Sequence, residues 1–422
     1  MRKFLAGIGC LVIAVLCASP VLAAESTLTW EDCVHEAGTH NPDLAAKAER
    51  VRQAEANLQI ALSPMLPQVS GGLSLSGSWA EDLSLSKNWN ANLSVQQLLF
   101  DGMQSLHGYQ GAAASLAAAR FDYATTEAGV RLRLRQAYVE LLLAQLMTGL
   151  TQDIEARRCK NLDLVKMRYE AGREHRGSLL LAQAQFAQAQ ANHAQAERDL
   201  LLAQYGLSQQ LGREAFAPLQ AAGTLDLPAV VPEPDFASLL EKHPGSLSLA
   251  SQAESARLAA AEAAGDWYPT LSASGSIGRS GPDWWPDEPS LSAGLSLNWP
   301  LFTGFRRWSQ VDKAQAAWRQ AQAALVSGKN SLRYDLVSAW SNYGQALDNV
   351  AVQGQFLAAA EERARISQAE YTTGLIGFDN WTIIEDDLVS AKLAALNAHA
   401  KSQNAKAAWV QAQGGGLNVT EP

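Results

Sequence analysis

The chain has 422 residues, 47% hydrophobic, 18% charged and 7% aromatic, enough for two or three ordinary domains and too apolar for a disordered protein. Its 33 Lys plus Arg stand against 42 Asp plus Glu, a net charge of −9, so no basic field exists to hold phosphates and no nucleic acid partner is expected. Ala and Gln run in long tracts such as Ala182 to Ala196, a composition that favours extended helix over a doubly wound α/β enzyme.

Arg2 and Lys3 precede an apolar run from Phe4 to Leu16, and Val21, Leu22 and Ala23 offer a small-residue cleavage site, so residues 1–23 read as a signal peptide. The run is shorter than the ~20 residues of a spanning helix, and Pro20 interrupts its end. Lipidation is not expected, because Leu16 precedes Cys17 and Cys10 lies too near the start. Removing Arg2 and Lys3 takes the balance to 31 minus 42, or −11, and leaves Cys33 and Cys159, which read as free thiols rather than a bridge. No later stretch is an apolar run of ~20 residues, so any membrane crossing falls to strands.

From Pro42 to about Leu62 the pattern is helical, and Pro64 and Pro67 stop it. Strict alternation follows. Val69, Gly71, Leu73, Leu75, Gly77 and Trp79 share one face against Gln68, Ser70, Ser74, Ser76 and Ser78, and Trp89, Ala91, Leu93 and Val95 then alternate with Asn90, Asn92, Ser94 and Gln96. Each strand is expected to run about ten residues, the length a tilted strand needs to cross a bilayer. Residues 101–170 contain no proline and, as a helix, would reach ~100 Å. A turn and a second helix over about 178–211 come next, then a Pro-rich linker from Pro228 to Pro234.

The whole order is then written again at an offset of 202. Pro42 matches Pro244, Pro67 matches Pro269, Leu99-Phe100 with Gly102 matches Leu301-Phe302 with Gly304, and Tyr169 with Gly172 matches Tyr371 with Gly374. Strand alternation returns in Leu271, Ala273, Gly275 and Ile277 and in Leu291, Ala293, Leu295, Leu297 and Trp299. The expected organisation is therefore a first repeat over 24–212, a linker over 213–233, a second repeat over 234–414 and a tail over 415–422, with the repeats intertwined in one domain. The return helices carry small-residue seams for close helix packing, Ile384, Leu388, Ala391, Ala395, Ala398, Ser402, Ala405 and Trp409 in the second copy and Ala182, Phe186, Ala189, His193, Ala196, Leu200, Ala203 and Leu207 in the first.

Alternation alone fits a sheet with one wet face in a soluble sandwich. A polar face of Ser, Asn and Gln without charges, and Trp79, Trp89 and Trp299 at strand ends as candidate membrane-interface aromatics, favour a barrel in lipid. Four strands cannot close a barrel, so the chain must oligomerise; two copies would give eight strands and three would give twelve.

These features resemble the TolC family of outer-membrane efflux proteins over nearly the whole mature chain. The resemblance rests on Asn41-Pro42, on Leu98-Leu99-Phe100-Asp101-Gly102 and Trp299-Pro300-Leu301-Phe302-Thr303-Gly304 at the strand-to-helix junctions, and on the turns Arg168-Tyr169-Glu170-Ala171-Gly172 and Tyr371-Thr372-Thr373-Gly374-Leu375. It implies a mainly α fold with membrane β: a homotrimer whose twelve-stranded barrel in the outer membrane continues as a helical tunnel across the periplasm. It also implies an exit duct that conducts cargo passively from an inner-membrane RND, ABC or MFS transporter through a periplasmic adaptor, in efflux or type I secretion. By resemblance, Gly172, Arg173, Gly374, Leu375 and Ile376 would be adaptor-docking tips. The same glycines also suit plain helix C-caps. Asp379 and Asn380 are the best matches to the acids that constrict the entrance in that family, with Ile383 where a second aspartate would stand, a departure from its pattern; with Glu385, Asp386 and Asp387 following, the acids would still form rings of negative charge. An acidic first turn at a helix N-terminus explains the later acids equally well.

Catalytic constellations are weak. His35-Glu36 and His40 resemble a zinc-protease signature, but the histidines are five positions apart rather than four and do not share a helix face. Ser84 to Lys87 fits Ser-x-x-Lys without its companion motifs, His193 falls in an alanine seam, and no P-loop or G-x-S-x-G occurs. No enzyme, metal or cofactor is expected. The alternative function is a secreted structural or adhesive coiled-coil protein with a soluble sheet.

Overall fold

The computed structural model describes residues 26–79, 85–226 and 232–419. The signal-peptide segment, Ser84 and the proline that opens the linker, Pro228, lie outside the described residues.

The chain starts with strand β1 (Ser26–Leu28) and helix α1 (Trp30–His40), whose N-terminus is closed by a reciprocal capping box between Thr29 and Asp32. Helix α2 (Pro42–Leu62) follows at once. Asn41 ends α1 and caps α2, its side-chain oxygen accepting from the Asp43 amide at 3.0 Å, while Pro42 occupies the first turn, where an N–H has no intrahelical acceptor.

Two antiparallel strands, β2 (Gln68–Trp79) and β3 (Leu85–Phe100), lead into α3 (Gln104–Glu170) and the returning α4 (Arg176–Leu211). After a short strand β4 (Leu219–Ala221) and helix α5 (Phe236–Lys242), the pattern recurs as α6 (Pro244–Gly265), β5 (Thr270–Gly281), β6 (Glu288–Asn298), α7 (Arg306–Thr373) and α8 (Phe378–Ala412). Strands β2 and β5, helices α3 and α7, and helices α4 and α8 each begin 202 residues apart.

The membrane-type strands form one antiparallel sheet in the order β2-β3-β5-β6. At 16 residues β3 is longer than the ten expected: it starts at Leu85, four residues before Trp89, where it pairs with the end of β2, and it continues to Phe100 through a register shift after Leu98. Each strand enters its long helix through two consecutive left-handed residues, Gly102-Met103 and Gly304-Phe305. At Gly102 the glycine is required, since a Cβ there would lie 2.5 Å from the Gly265 carbonyl oxygen.

Helices α3 and α7 are 67 and 68 residues long, ~100 Å each. Helix α3 packs on α2, α4 and α6, and α7 packs on α6 and α8. The small-residue seams face inward: Ala182, Ala189, Ala196 and Ala203 are buried on α4, as are Leu388, Ala395, Ala398 and Ser402 on α8. His193 is half-buried in its seam, its Nδ1 3.2 Å from the Thr151 hydroxyl. Cys33 and Cys159 are free thiols.

Two segments differ from the organisation expected. The stretch 213–233 is more than a linker, because β4 pairs in parallel with β1 and buries Leu219 and Ala221 beside Tyr138 in the central core. The Tyr138 hydroxyl donates to the carbonyls of Leu28 and Ala222, and the Gln145 side chain brackets Ala221, accepting from its N–H at 2.9 Å. A strand of three residues is too short to display a period of two. The segment 415–422 likewise opens as packed chain: Leu417 is buried, its N–H donates to Glu127 at 2.9 Å, and the Val419 carbonyl accepts from Arg131.

Candidate functional site: the helix tips and the barrel rims

At the end farthest from the sheet, α3 and α7 both stop in Schellman turns. The Arg173 N–H donates to the Arg168 carbonyl at 2.8 Å and the Leu375 N–H to the Glu370 carbonyl at 2.8 Å, with Gly172 at φ 72° and Gly374 at φ 86°. Helix capping and an exposed turn therefore coincide. Gly172, Arg173 and Gly374 are exposed, Leu375 stands 78% exposed, and Ile376 is half-buried against the cluster beneath.

That cluster joins both halves of the chain. Tyr371 is fully buried and stacks on Trp381 with ring centroids 4.3 Å apart and 8° between the planes. The Arg168 guanidinium lies 4.5 Å from the centre of the Tyr371 ring and donates to its carbonyl at 2.6 Å. The Tyr371 hydroxyl donates to Glu174 in the opposite turn at 3.0 Å. Burial, then the neighbouring carboxylate, pushes the Tyr371 phenol well above its ordinary value. Tyr169, its counterpart in the first repeat, is 38% exposed, so the two tips are unlike despite their shared turn.

One and two turns further along α8, the acidic run splits by face. Asp379 and Asn380 are exposed, as the entrance reading requires. Glu385 departs from it: the residue is 1% exposed and accepts from Arg157 Nε at 2.6 Å, Arg157 Nη2 at 2.7 Å and Asn161 at 3.1 Å. This bond, more than the opposing desolvation, raises the Arg157 pKa. Asp386 pairs with Arg158, and Asp387 with Arg363 at 3.3 Å. The cause is helical spacing: Trp381, Glu385 and Leu388 occupy the inward face, and α3 presents two adjacent arginines there. The charge of Glu385 is neutralised inside the protomer, and that of Asp386 is paired rather than free. The sequence assigned no role to Arg157, Arg158, Asn161, Arg168, Glu174 and Trp381; Asp153 and Glu155 stand within one helical turn of the two arginines, so nothing local marked them for partners on α8.

At the other end of the molecule, Trp79 and Trp89 lie near the hairpin connections. Trp79 is exposed and Trp89 packs edge-on against Trp284 at 4.6 Å. Trp299 sits at the helix-side rim, exposed, its indole N–H donating to the Trp267 carbonyl at 3.3 Å. Aromatics therefore mark both rims of the sheet. Of the outward positions between them, Leu73, Leu93, Ile277, Leu291 and Leu295 are exposed, while Ala91, Leu271 and Ala273 are half-buried. No described helix is long and apolar enough to cross a membrane. Among the described residues no group of three His, Cys, Asp or Glu side chains is placed to hold a metal ion. His35 is exposed, and Glu36 is bound by Arg213.

A sheet that is apolar outside and polar inside, continued by paired helices of ~100 Å that end in a convergent tip, defines a conduit between a membrane and a distant entrance. The family model for outer membrane efflux proteins matches residues 33–213 and 237–415, one block per repeat, and the chain belongs to that family. It is 24% identical over 406 residues to the outer membrane efflux protein BepC of Brucella suis, covering 91% of this chain and 88% of that one. It is 25% identical over 391 residues to the outer membrane protein TolC of Escherichia coli, covering 88% and 78% respectively. Among solved structures, the open-state MtrE outer membrane channel of Neisseria gonorrhoeae superposes with a TM-score of 0.83 at 19% identity, covering 92% of this chain and 89% of that chain. The CusC channel gives a TM-score of 0.84 at 16% identity, covering 91% of each chain. The protein is an outer-membrane exit duct for efflux in a Gram-negative envelope, with its helices in the periplasm. The family is one of transport channels rather than enzymes.

Proposed function

We propose that three copies of this chain close one twelve-stranded barrel and one helical tunnel, and that the tunnel receives cargo at its tips from an inner-membrane transporter of the RND, ABC or MFS type through a periplasmic adaptor. The observation that carries closure by several copies is the open sheet. Strands β2 and β6 each have one neighbour and therefore expose a row of unpaired backbone groups, which lipid cannot satisfy. Pairing β6 of one copy with β2 of the next removes every edge, and three copies, giving twelve strands, is the number that the family resemblance implies.

Docking is assigned to the two turns at Gly172-Arg173 and at Gly374, Leu375 and Ile376. Leu375 supports this reading, since an apolar side chain held almost bare at a rigid turn is suited to a partner's groove. Asp379 and Asn380 are assigned to the entrance, where three-fold copying sets the acid in a ring that favours cations. Trp79, Trp89 and Trp299 are assigned to the membrane interfaces. Single-channel conductance of the detergent-extracted protein, with its oligomer mass measured in the same preparation, tests the reading. A conducting, cation-preferring trimer is expected, and a soluble non-conducting monomer would restore the coiled-coil alternative.

A further inference from the structure

The outward face of the sheet carries two charged residues among the described positions, Lys87 on β3 and Arg279 on β5, and both are cations near the hairpin end. Strand pairing fixes their placement. Arg279 pairs with Ala91 and with Pro289, in the same parity as Leu93, Ile277 and Leu291, so it stands among apolar side chains rather than on the serine-lined inner face. Lys87 lies four residues beyond Ala91 on β3, on the same face, ~14 Å away along the strand. Neither makes an ion pair with a described residue, and both are exposed.

Arg279 also lines a groove of about 620 Å³ whose walls are Leu73, Leu93 and Ile277 and whose roof is Trp285 and Pro286 from the β5–β6 connection. Its floor is open at Gly71, where an added Cβ would meet nothing within 4 Å. Trp285 holds a left-handed φ of 81° to lie there, a conformation uncommon for a bulky residue. Among the acids near these cations, Glu288 belongs to the parity of Ser280, Asp287 in the connection sets a carboxylate oxygen 3.3 Å from the Cβ position of Gly281, at the rim two residues beyond Arg279, and Glu81 and Asp82 lie outside the described residues.

We infer that this groove binds a bisphosphorylated glycolipid of the lipid A type, with Arg279 and Lys87 each facing one phosphate and an acyl chain lying between Leu73, Leu93 and Ile277. The inference rests on the duct reading, which sets the hairpin end on the extracellular side, in the leaflet built of that glycolipid. A cation on a lipid-facing strand costs ~2–4 kcal/mol at the bilayer midplane and ~0–1 kcal/mol near an interface, so two cations at one rim are tolerable, and an anionic headgroup gives them a partner. The separation of the two charges selects a lipid with two phosphates over one with a single phosphate.

Native mass spectrometry of the detergent-extracted trimer tests this, with hexa-acylated bisphosphoryl lipid A, its monophosphoryl form and phosphatidylglycerol as probes. One cation at an anionic lipid surface is worth ~1 kcal/mol, or about fivefold in affinity. Arg279→Gln is expected to weaken bisphosphoryl lipid A about fivefold, and the double variant with Lys87→Gln about 25-fold. Glu288→Gln, on the opposite face, is expected to change nothing. Unaltered binding by the double variant, or equal binding of phosphatidylglycerol by the wild type, would overturn the site. Conductance and trimer mass separate the two levels of failure: a conducting trimer without lipid A preference rejects the site alone, whereas absence of trimer and conductance rejects the duct reading and the site with it.

Discussion

Replacing Glu385 with Gln tests whether this acid is an internal tie or an entrance charge. The carboxylate is almost wholly buried and accepts three hydrogen bonds, two of them from the Arg157 guanidinium at 2.6 and 2.7 Å. A bond to a charged partner contributes ~1.5–3 kcal/mol, and breaking a fully buried pair costs ~3–5 kcal/mol. The Arg157 side chain is 34% exposed, so water recovers part of its solvation, and ~2–3 kcal/mol is the expected local cost. Hydrogen exchange of the reconstituted trimer reads this directly, because the tips can open without the rest of the tunnel. Amides of α8 between 378 and 390 and of α3 between 157 and 170 should lose protection by ~30- to 150-fold, while those near Tyr138 stay unchanged. Block by multivalent cations in planar bilayers should be unaffected, since the lost charge never faced the lumen. Unchanged exchange combined with weakened block would refute the internal tie and return Glu385 to the entrance.

The other substitutions separate shape, charge and burial. Asp379→Ala should weaken multivalent-cation block, and unaltered block would remove this residue from the entrance ring. Gly374→Pro cannot hold φ 86°, so it should abolish efflux while trimers still insert; normal efflux would contradict the docking assignment. Burial pushes the Cys33 thiol up to about 12, whereas Cys159 is partly accessible, so maleimide at pH 8 should label Cys159 at least ~100-fold faster, and comparable rates would show the central core to be open. Tyr371 stays protonated in the fold while the unfolded phenol ionises near 10; the folded state then holds more protons, and tip stability should fall as pH rises above ~10. Tyr371→Phe should flatten that slope in exchange measurements, and a slope that persists would assign it to another group.

What the sequence made legible was whatever obeys a period. The 202-residue offset, the alternation of β2 and β5 and the proline-free run of α3 each follow from a repeated local rule, and the return helix expected over about 178–211 is found at Arg176–Leu211. What stayed hidden depends on pairs far apart in the chain. Strands β1 and β4 meet across nearly the whole first repeat, and Arg157 reaches Glu385 across 228 positions. No local rule encodes either. The tips make the same point in sharper form: Tyr169 and Tyr371 occupy equivalent places in the offset, yet one is exposed and the other is clamped between Trp381, Arg168 and Glu174. Duplication supplied two identical turns, and divergence of their surroundings made them unequal. In the proposed trimer six tips, three of each kind, would surround the entrance, so a partner docking there would meet two kinds of site rather than one.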